Sequence, residues 1–273
     1  MDNPWLTVLM PAYNEETCLE GSVSQVVARL SQLQIPSEIL IVDDCSTDRT
    51  GEIADALAER YRGDGTTTVR VCHHQLNQGI GGGVRTGITE ARGQWLILIP
   101  ADLALDLADM DKYLDATPTA DIVVGIRSDR RDYTVFRRLV SLVNIGMIRF
   151  LFRLKLHQFQ YISMYRLMVL RSMDIQYWHS AFFHAEILIR ARDLGYQLTE
   201  VKIHYIPRAS GSATGANWRL VSRTGRDMLQ YWAKWIARHP SGLRATESMP
   251  EEATVNEAGD GAAQWNELTS ARR

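Results

Sequence analysis

Five apolar runs of strand length alternate with segments of helical period, and this constrains the fold more than any other feature of the chain. WLTVLM, EILIVD, TTVRVCHH, QWLILIP and DIVVG are separated by helix-period stretches at 16–33, 48–61, 81–91 and 107–115, and a long helix follows the fifth run. Strand and helix in strict alternation build βαβ units, whose crossovers close a mostly parallel sheet. Runs such as EILIV and WLILI carry apolar residues on both faces, as a sheet covered on both faces requires. The expected fold is α/β and doubly wound, with helices on both sides of the sheet.

Size and charge narrow the function classes. With 273 residues, 45% of them hydrophobic, the chain can bury one large core, and one catalytic domain with an appendage is expected. Thirty basic residues against 32 acidic ones leave a net charge of -2, so no global field recruits nucleic acid. Cys18, Cys45 and Cys72 are scattered, with no C-x-x-C pair, which argues for a reducing compartment and against a disulfide framework or zinc site. The start, MDNPWLTVLMPAYNEE, reads as no signal peptide. No run approaches the roughly 18 to 20 apolar residues that span a bilayer. A cytoplasmic protein is expected.

In doubly wound folds ligands bind beyond the carboxyl ends of the strands. Four loops there are rich in polar and small residues: Pro11 to Glu16, Asp43 to Asp48, Asn77 to Gly83, and Pro100-Ala101-Asp102. Any one of them could be turn and cap chemistry; four at one edge point to a binding site. The segment NQGIGGGVRTG matches neither the dinucleotide fingerprint nor the P-loop. Its glycines would serve an anion-binding backbone or a tight packing turn equally well.

VLMPAYNEE, EILIVDDCSTDRTGEIA, NQGIGGGVRTGITEARGQWLILIPADL and VVGIR together resemble the family 2 glycosyltransferases of the GT-A fold, most closely the dolichyl- or polyprenyl-phosphate hexosyltransferases typified by dolichyl-phosphate mannose synthase. The likeness covers about residues 5–210 and weakens in the second half, where ISMYRLMVL stands for a T-S-G-F-R type segment. It implies that Pro11, Ala12, Tyr13 and Glu15 line the nucleoside pocket, with Asn77 and Gly79 beside them, and that Asp43 and Asp44 bond base or sugar hydroxyls. It also implies that Asp102 binds the Mg²⁺ or Mn²⁺ that faces the diphosphate. Here the chain departs from the family, with Pro100 for the first Asp of D-A-D and Ala104 for a later Gln. One carboxylate with diphosphate oxygens and water can still hold Mg²⁺, which commonly takes few protein ligands. Asp106 is a further candidate, with an exposed surface carboxylate as the plainer reading.

Arg127, directly after DIVVG, is a candidate for the leaving diphosphate. A lipid-phosphate acceptor needs a basic pocket rather than a general base, because a phosphate monoester is largely a dianion at neutral pH. Arg127, Arg130, Arg131, Arg137, Arg138, Arg166 and Arg208 provide one in sequence. Glu186, beside His184 in HAEILIRARDLG, is the match for the acidic base that family members with sugar acceptors use; a helix N-terminal Glu favoured by the dipole is the alternative.

Two stretches are amphipathic. In 135–156, Phe136, Leu139, Val140, Val143, Met147, Phe150, Leu151 and Leu154 form one apolar face flanked by Arg137, Arg138, Arg149, Arg153 and Lys155, a pattern that suits either a core helix or a membrane interface. In 217–239, Trp218, Trp232 and Trp235 lie among Arg and Lys, which suits the headgroup region. The expected organisation is a GT-A domain at 1–215, with a nucleotide-sugar half to about 125 and an acceptor half from 126 carrying the interfacial helix 135–156. An amphipathic helix at 216–240 and a disordered tail at 241–273 follow.

The implied function is inverting transfer of mannose or glucose from GDP-mannose or UDP-glucose to a polyprenyl or dolichyl phosphate, by an enzyme held peripherally at the cytosolic membrane face. Two alternatives stay open: transfer to a saccharide or lipid hydroxyl with Glu186 as base, and a non-catalytic nucleotide-sugar-binding protein that has lost its metal site.

Overall fold

The computed structural model describes residues 3–63, 65–127, 135–159, 162–204, 206 and 218–238. Its elements, in order, are β1 (Leu6–Ala12), α1 (Leu19–Leu33), β2 (Ser37–Asp43), α2 (Thr50–Arg60), β3 (Thr67–His73), α3 (Gly79–Glu90), β4 (Trp95–Leu98), a 3-10 turn (Leu107–Asp109) running into α4 (Met110–Ala116), β5 (Ile122–Arg127), α5 (Val135–Phe152), β6 (Ser163–Arg166), α6 (Leu167–Arg171), α7 (Phe183–Asp193), β7 (Leu198–Ile203) and α8 (Trp218–Arg238). The strands form one sheet in the order β3-β2-β1-β4-β6-β5-β7. All neighbours are parallel except those of β6, which runs antiparallel between β4 and β5.

Alternation along each strand divides the core in two. Leu6, Val8 and Met10 of β1, with Ile39 and Ile41 of β2, face α1 and α2; Leu9, Leu40 and Val42 face α3 and the second-half helices. Every residue of β2 is buried, which explains an unbroken apolar run where a half-exposed strand would alternate. Fully burying each such aliphatic side chain contributes about 1.5–3 kcal/mol, so the strands that carry the loops are held rigidly.

The two amphipathic helices divide their faces differently from the sequence expectation. Ile148 and Phe152 of α5 are buried, and Met147 and Leu151 pack beside them, while Leu139, Leu142, Val143 and Phe150 stand exposed on another face. The helix is thus apolar on two sides. The tryptophans of α8 expected at headgroups turn inward. Trp235 is only 8% exposed, donates from Nε1 to Asp193 Oδ2 at 2.6 Å and meets the Phe152 ring at 5.7 Å; Trp232 packs against the same cluster. The Trp218 side chain and the tail at 241–273 lie outside the described residues.

Candidate active site

The first two loops brace each other. Asn14, held at a φ of 56°, accepts from Thr47 N at 2.8 Å and donates its own N–H to Ser46 Oγ at 3.0 Å. Glu15 N donates to Thr50 Oγ1 at 2.7 Å. Arg49 N donates to Glu16 Oε2 at 3.0 Å, and Glu16 N in turn donates to Asp48 Oδ2 at 3.3 Å. Helices α1 and α2 lack side-chain caps from their own N-cap residues; the cross-bonding satisfies the amide of Arg49, the N-cap of α2, and those of the loop that leads to α1. The result is a platform that ends β1 and β2 together, with Tyr13 exposed upon it.

Asp43 and Asp44 are buried and already engaged. Asp43 accepts from Ser46 N at 3.1 Å and lies 2.9 Å from His73 Nδ1, whose Nε2 meets Asp55 at 3.1 Å. Burial raises the Asp43 pKa, but the hydrogen bonds from Ser46 and His73 outweigh it and leave the pKa below its ordinary value. The bond to Asp43 correspondingly holds His73 above its own ordinary value.

Asp44 is the staple of the Gly-rich segment. It accepts from Gln78 N at 2.8 Å and Gly79 N at 2.7 Å, meets His74 Nδ1 at 2.7 Å, and receives Asn77 Nδ2 on its main-chain oxygen at 3.2 Å. His74 is fixed from its other side by Thr86 Oγ1 at 2.8 Å. Sequence reasoning passed over both histidines. The available signal was register: β2 and β3 are parallel, and Asp43 pairs with His73, so adjacent D-D and H-H at two strand ends must meet.

The glycines of α3 are explained by packing. Gly79 adopts a φ of 70°, open to glycine without strain. A Cβ on Gly81 would collide with the Trp178 carbonyl, and one on Gly87 with the Leu9 side chain. The segment before α7 is therefore pressed onto the first turn of α3.

Beyond β4, Leu103 N donates to Pro100 O at 3.0 Å and Leu103 takes a φ of 46°, a tight turn that carries Asp102 with both carboxylate oxygens shielded from solvent. Asp106 caps the 3-10 turn, accepting from Ala108 N at 3.0 Å. Asp109 then anchors the segment to the end of β7: it accepts from Lys112 Nζ at 2.7 Å and lies 3.1 Å from His204 Nδ1. Among the described residues no cluster of three or more His, Cys, Asp or Glu is placed to hold a metal. A metal held at Asp102 would therefore have one protein carboxylate, with the remaining coordination left to diphosphate oxygens and water.

Arg127 ends β5 at the same edge of the sheet, its backbone clamped by Gln158 at 3.2 and 3.3 Å. Pro11, Ala12, Tyr13, Glu15, Asp43, Asp44, Asn77, Gly79, Asp102 and Arg127 thus share one edge. Arg166 does not join them. Because β6 is antiparallel, its last residue pairs with Trp95 at the start of β4, at the opposite edge, where Arg166 meets Asp121 at 3.2 Å and lies 5.0 Å over the Trp95 ring. The expected place of Arg166 in a lipid-phosphate pocket fails on strand direction. Arg130, Arg131 and Arg208, and the side chains of Arg137 and Arg138, lie outside the described residues.

Glu186 is 0% exposed. It accepts from Gln176 N at 3.1 Å and Tyr177 N at 2.9 Å and from Arg190 at 2.9 and 2.8 Å. The carboxylate shapes the segment before α7 from within the core.

Residues 7–188 match the family described as Glycosyl transferase family 2. Among curated relatives, the dolichyl-phosphate beta-glucosyltransferase of Dictyostelium discoideum is 29% identical over 55% of this chain and 48% of that protein. The undecaprenyl-phosphate 4-deoxy-4-formamido-L-arabinose transferase of Pseudomonas aeruginosa is 29% identical over 80% of this chain and 62% of that protein. The chain thus spans about half to three-fifths of the length of these two relatives. Among solved structures, glucosyl-3-phosphoglycerate synthase from Mycobacterium tuberculosis, in complex with Mn²⁺, UDP-glucose and phosphoglyceric acid, superposes with a TM-score of 0.65 at 16% identity, over 84% of this chain and 80% of that one. Residues 1–349 of S. aureus TarS, in complex with UDP-GlcNAc, give 0.55 at 19% identity, over 86% and 72%. The fold is shared with both.

Proposed function

The chain belongs to glycosyl transferase family 2, and from that premise we propose that it moves a hexose, with inversion, from a GDP- or UDP-sugar to a polyprenyl or dolichyl phosphate at the cytosolic face of a membrane. The observation that carries the choice of acceptor is the state of Glu186. A hydroxyl acceptor needs a base within hydrogen-bond reach, and Glu186 is enclosed, with both oxygens committed to two backbone amides and an arginine. Freeing it would break its ion pair with Arg190 and strip the Gln176 and Tyr177 amides of their acceptor. A lipid phosphate brings its own nucleophilic oxygen and needs no base.

On this reading the braced loops of β1 and β2 receive the nucleoside, with Asp43 and Asp44 fixing the pocket and offering their remaining lone pairs to base or ribose. Asp102 is the residue that would hold Mg²⁺ or Mn²⁺, which supplies Lewis-acid neutralisation of the leaving diphosphate. Arg127 donates to the same phosphates.

Membrane attachment is assigned to α5. Its exposed Leu139, Leu142, Val143 and Phe150 recur at helical spacing, beside exposed Arg149 and Arg153. An apolar stripe with basic flanks suits an anionic interface. Among the described residues no helix is long and apolar enough to cross a membrane.

Calorimetry with GDP and UDP, each with and without Mn²⁺, tests the donor side. One nucleotide should bind in a metal-dependent way, and Asp102→Asn should weaken the metal-dependent part by roughly tenfold or more. Binding that ignores both metal and mutation would favour the non-catalytic reading that the single carboxylate keeps open.

A further inference from the structure

Of the described histidines, His73, His74, His157 and His204 each bond a carboxylate. His179 and His184 bond none, and of these two His184 lies on a helix, in the first turn of α7, with no ring-nitrogen hydrogen bond among the described residues. It is densely surrounded by protein yet keeps partial exposure, the combination expected of a group on the floor of a cleft.

Topology places that floor at the loop edge of the sheet. Helix α7 leads into β7, whose first residue pairs with Ile122 at the start of β5. The helix therefore runs back along the sheet for about 16 Å, and its first turn, with His184, stands at the edge that carries Asp102 and Arg127. An aromatic wall continues from it towards the Gly-rich loop. The His184 ring lies 3.8 Å from that of Phe183, the Phe183 ring 5.5 Å from that of Trp178, and the Trp178 carbonyl presses on Gly81, two residues beyond the amide that Asp44 holds.

We propose that His184 is a specificity-determining residue of this site, bonding a hydroxyl of the sugar carried by the nucleotide. The proposal rests on the glycosyltransferase reading and names a contact that reading leaves unassigned. Burial pushes the His184 pKa down to about 3, so the ring is neutral at physiological pH. A neutral imidazole offers no countercharge to a phosphate, for which Arg127 is at hand. It presents one N–H donor and one acceptor nitrogen, a match for a hydroxyl, which both donates and accepts. A sugar hydroxyl can bond either nitrogen in place of water.

The test measures binding of UDP, GDP, UDP-glucose and GDP-mannose to wild type, His184→Leu and His184→Gln by calorimetry, with Michaelis constants for donor and polyprenyl phosphate. His184→Leu should weaken binding of the accepted nucleotide sugar by roughly three- to tenfold, the worth of one neutral hydrogen bond, while binding of its parent diphosphate stays unchanged. His184→Gln, which retains a donor and an acceptor, should recover most of the loss. Equal weakening of diphosphate and nucleotide sugar, no weakening at all, or an effect confined to the acceptor's Michaelis constant each overturns the proposal. A wild type that binds none of the four nucleotides overturns the transferase reading with it; a wild type that binds them with no effect at His184 overturns this proposal alone.

Discussion

His73 holds the end of β2 from the neighbouring strand. It bridges Asp43 on β2 and Asp55 on α2, so the loop at the end of β2 depends on its charge. Its pKa is raised by the bond to Asp43. Its stabilising contribution is therefore full below the ordinary histidine value of 6.5 and lost as pH climbs through the raised folded value. Asp43, held below its ordinary value of 3.8, contributes above that value and loses its share only as pH falls through the lowered one. Thermal midpoints of wild type and His73→Gln, compared from about pH 5 to pH 8.5, should differ most at the acidic end and converge at the alkaline end; a difference constant with pH contradicts this account. The double Asp was visible in the sequence, but its partners were not. Residue type fixes what a carboxylate can accept, whereas the amides of Gln78 and Gly79 that reach Asp44 become its neighbours only when α3 has folded back onto the sheet.

At the scale of elements, α5 is the helix whose surface and core faces were hardest to separate. Its sequence offered one wide apolar stripe, while the fold buries Ile148 and Phe152 and leaves Leu142 at 61% and Phe150 at 83% exposure. Periodicity shows that a face is apolar; only packing against α8 and its neighbours decides which part of a wide stripe is covered. The same contact drew the Trp235 indole inward to Asp193, where composition alone had suggested headgroups. Exchange of Leu142 and Phe150 together for Ser should reduce co-sedimentation with anionic vesicles by roughly tenfold or more, from the apolar area withdrawn, with no loss of thermal stability. Retained vesicle binding would assign the interface elsewhere. Antiparallel β6 was the element least legible in advance: its four residues give too short a run to reveal direction, and with direction went the position of Arg166.

For the molecule as a whole, the parallel sheet does the gathering. Strands β1, β2, β3, β4 and β5 deliver their loops to one edge, and the strand-helix alternation that made this legible is a property of long apolar runs, which sequence reports well. Less legible was the link from the Asp102 segment to the end of β7 through Asp109, Lys112 and His204, because it joins residues about 95 apart in the chain. The central claim concerns the acceptor, and the most direct measurement is transfer of labelled hexose from UDP-glucose or GDP-mannose, with Mn²⁺, to polyprenyl phosphate in vesicles, beside a matched reaction with the corresponding polyprenol. The account predicts labelled lipid from the phosphate and none from the alcohol, whose hydroxyl would need a base that Glu186 is not placed to be. Equal or greater transfer to the alcohol would contradict it.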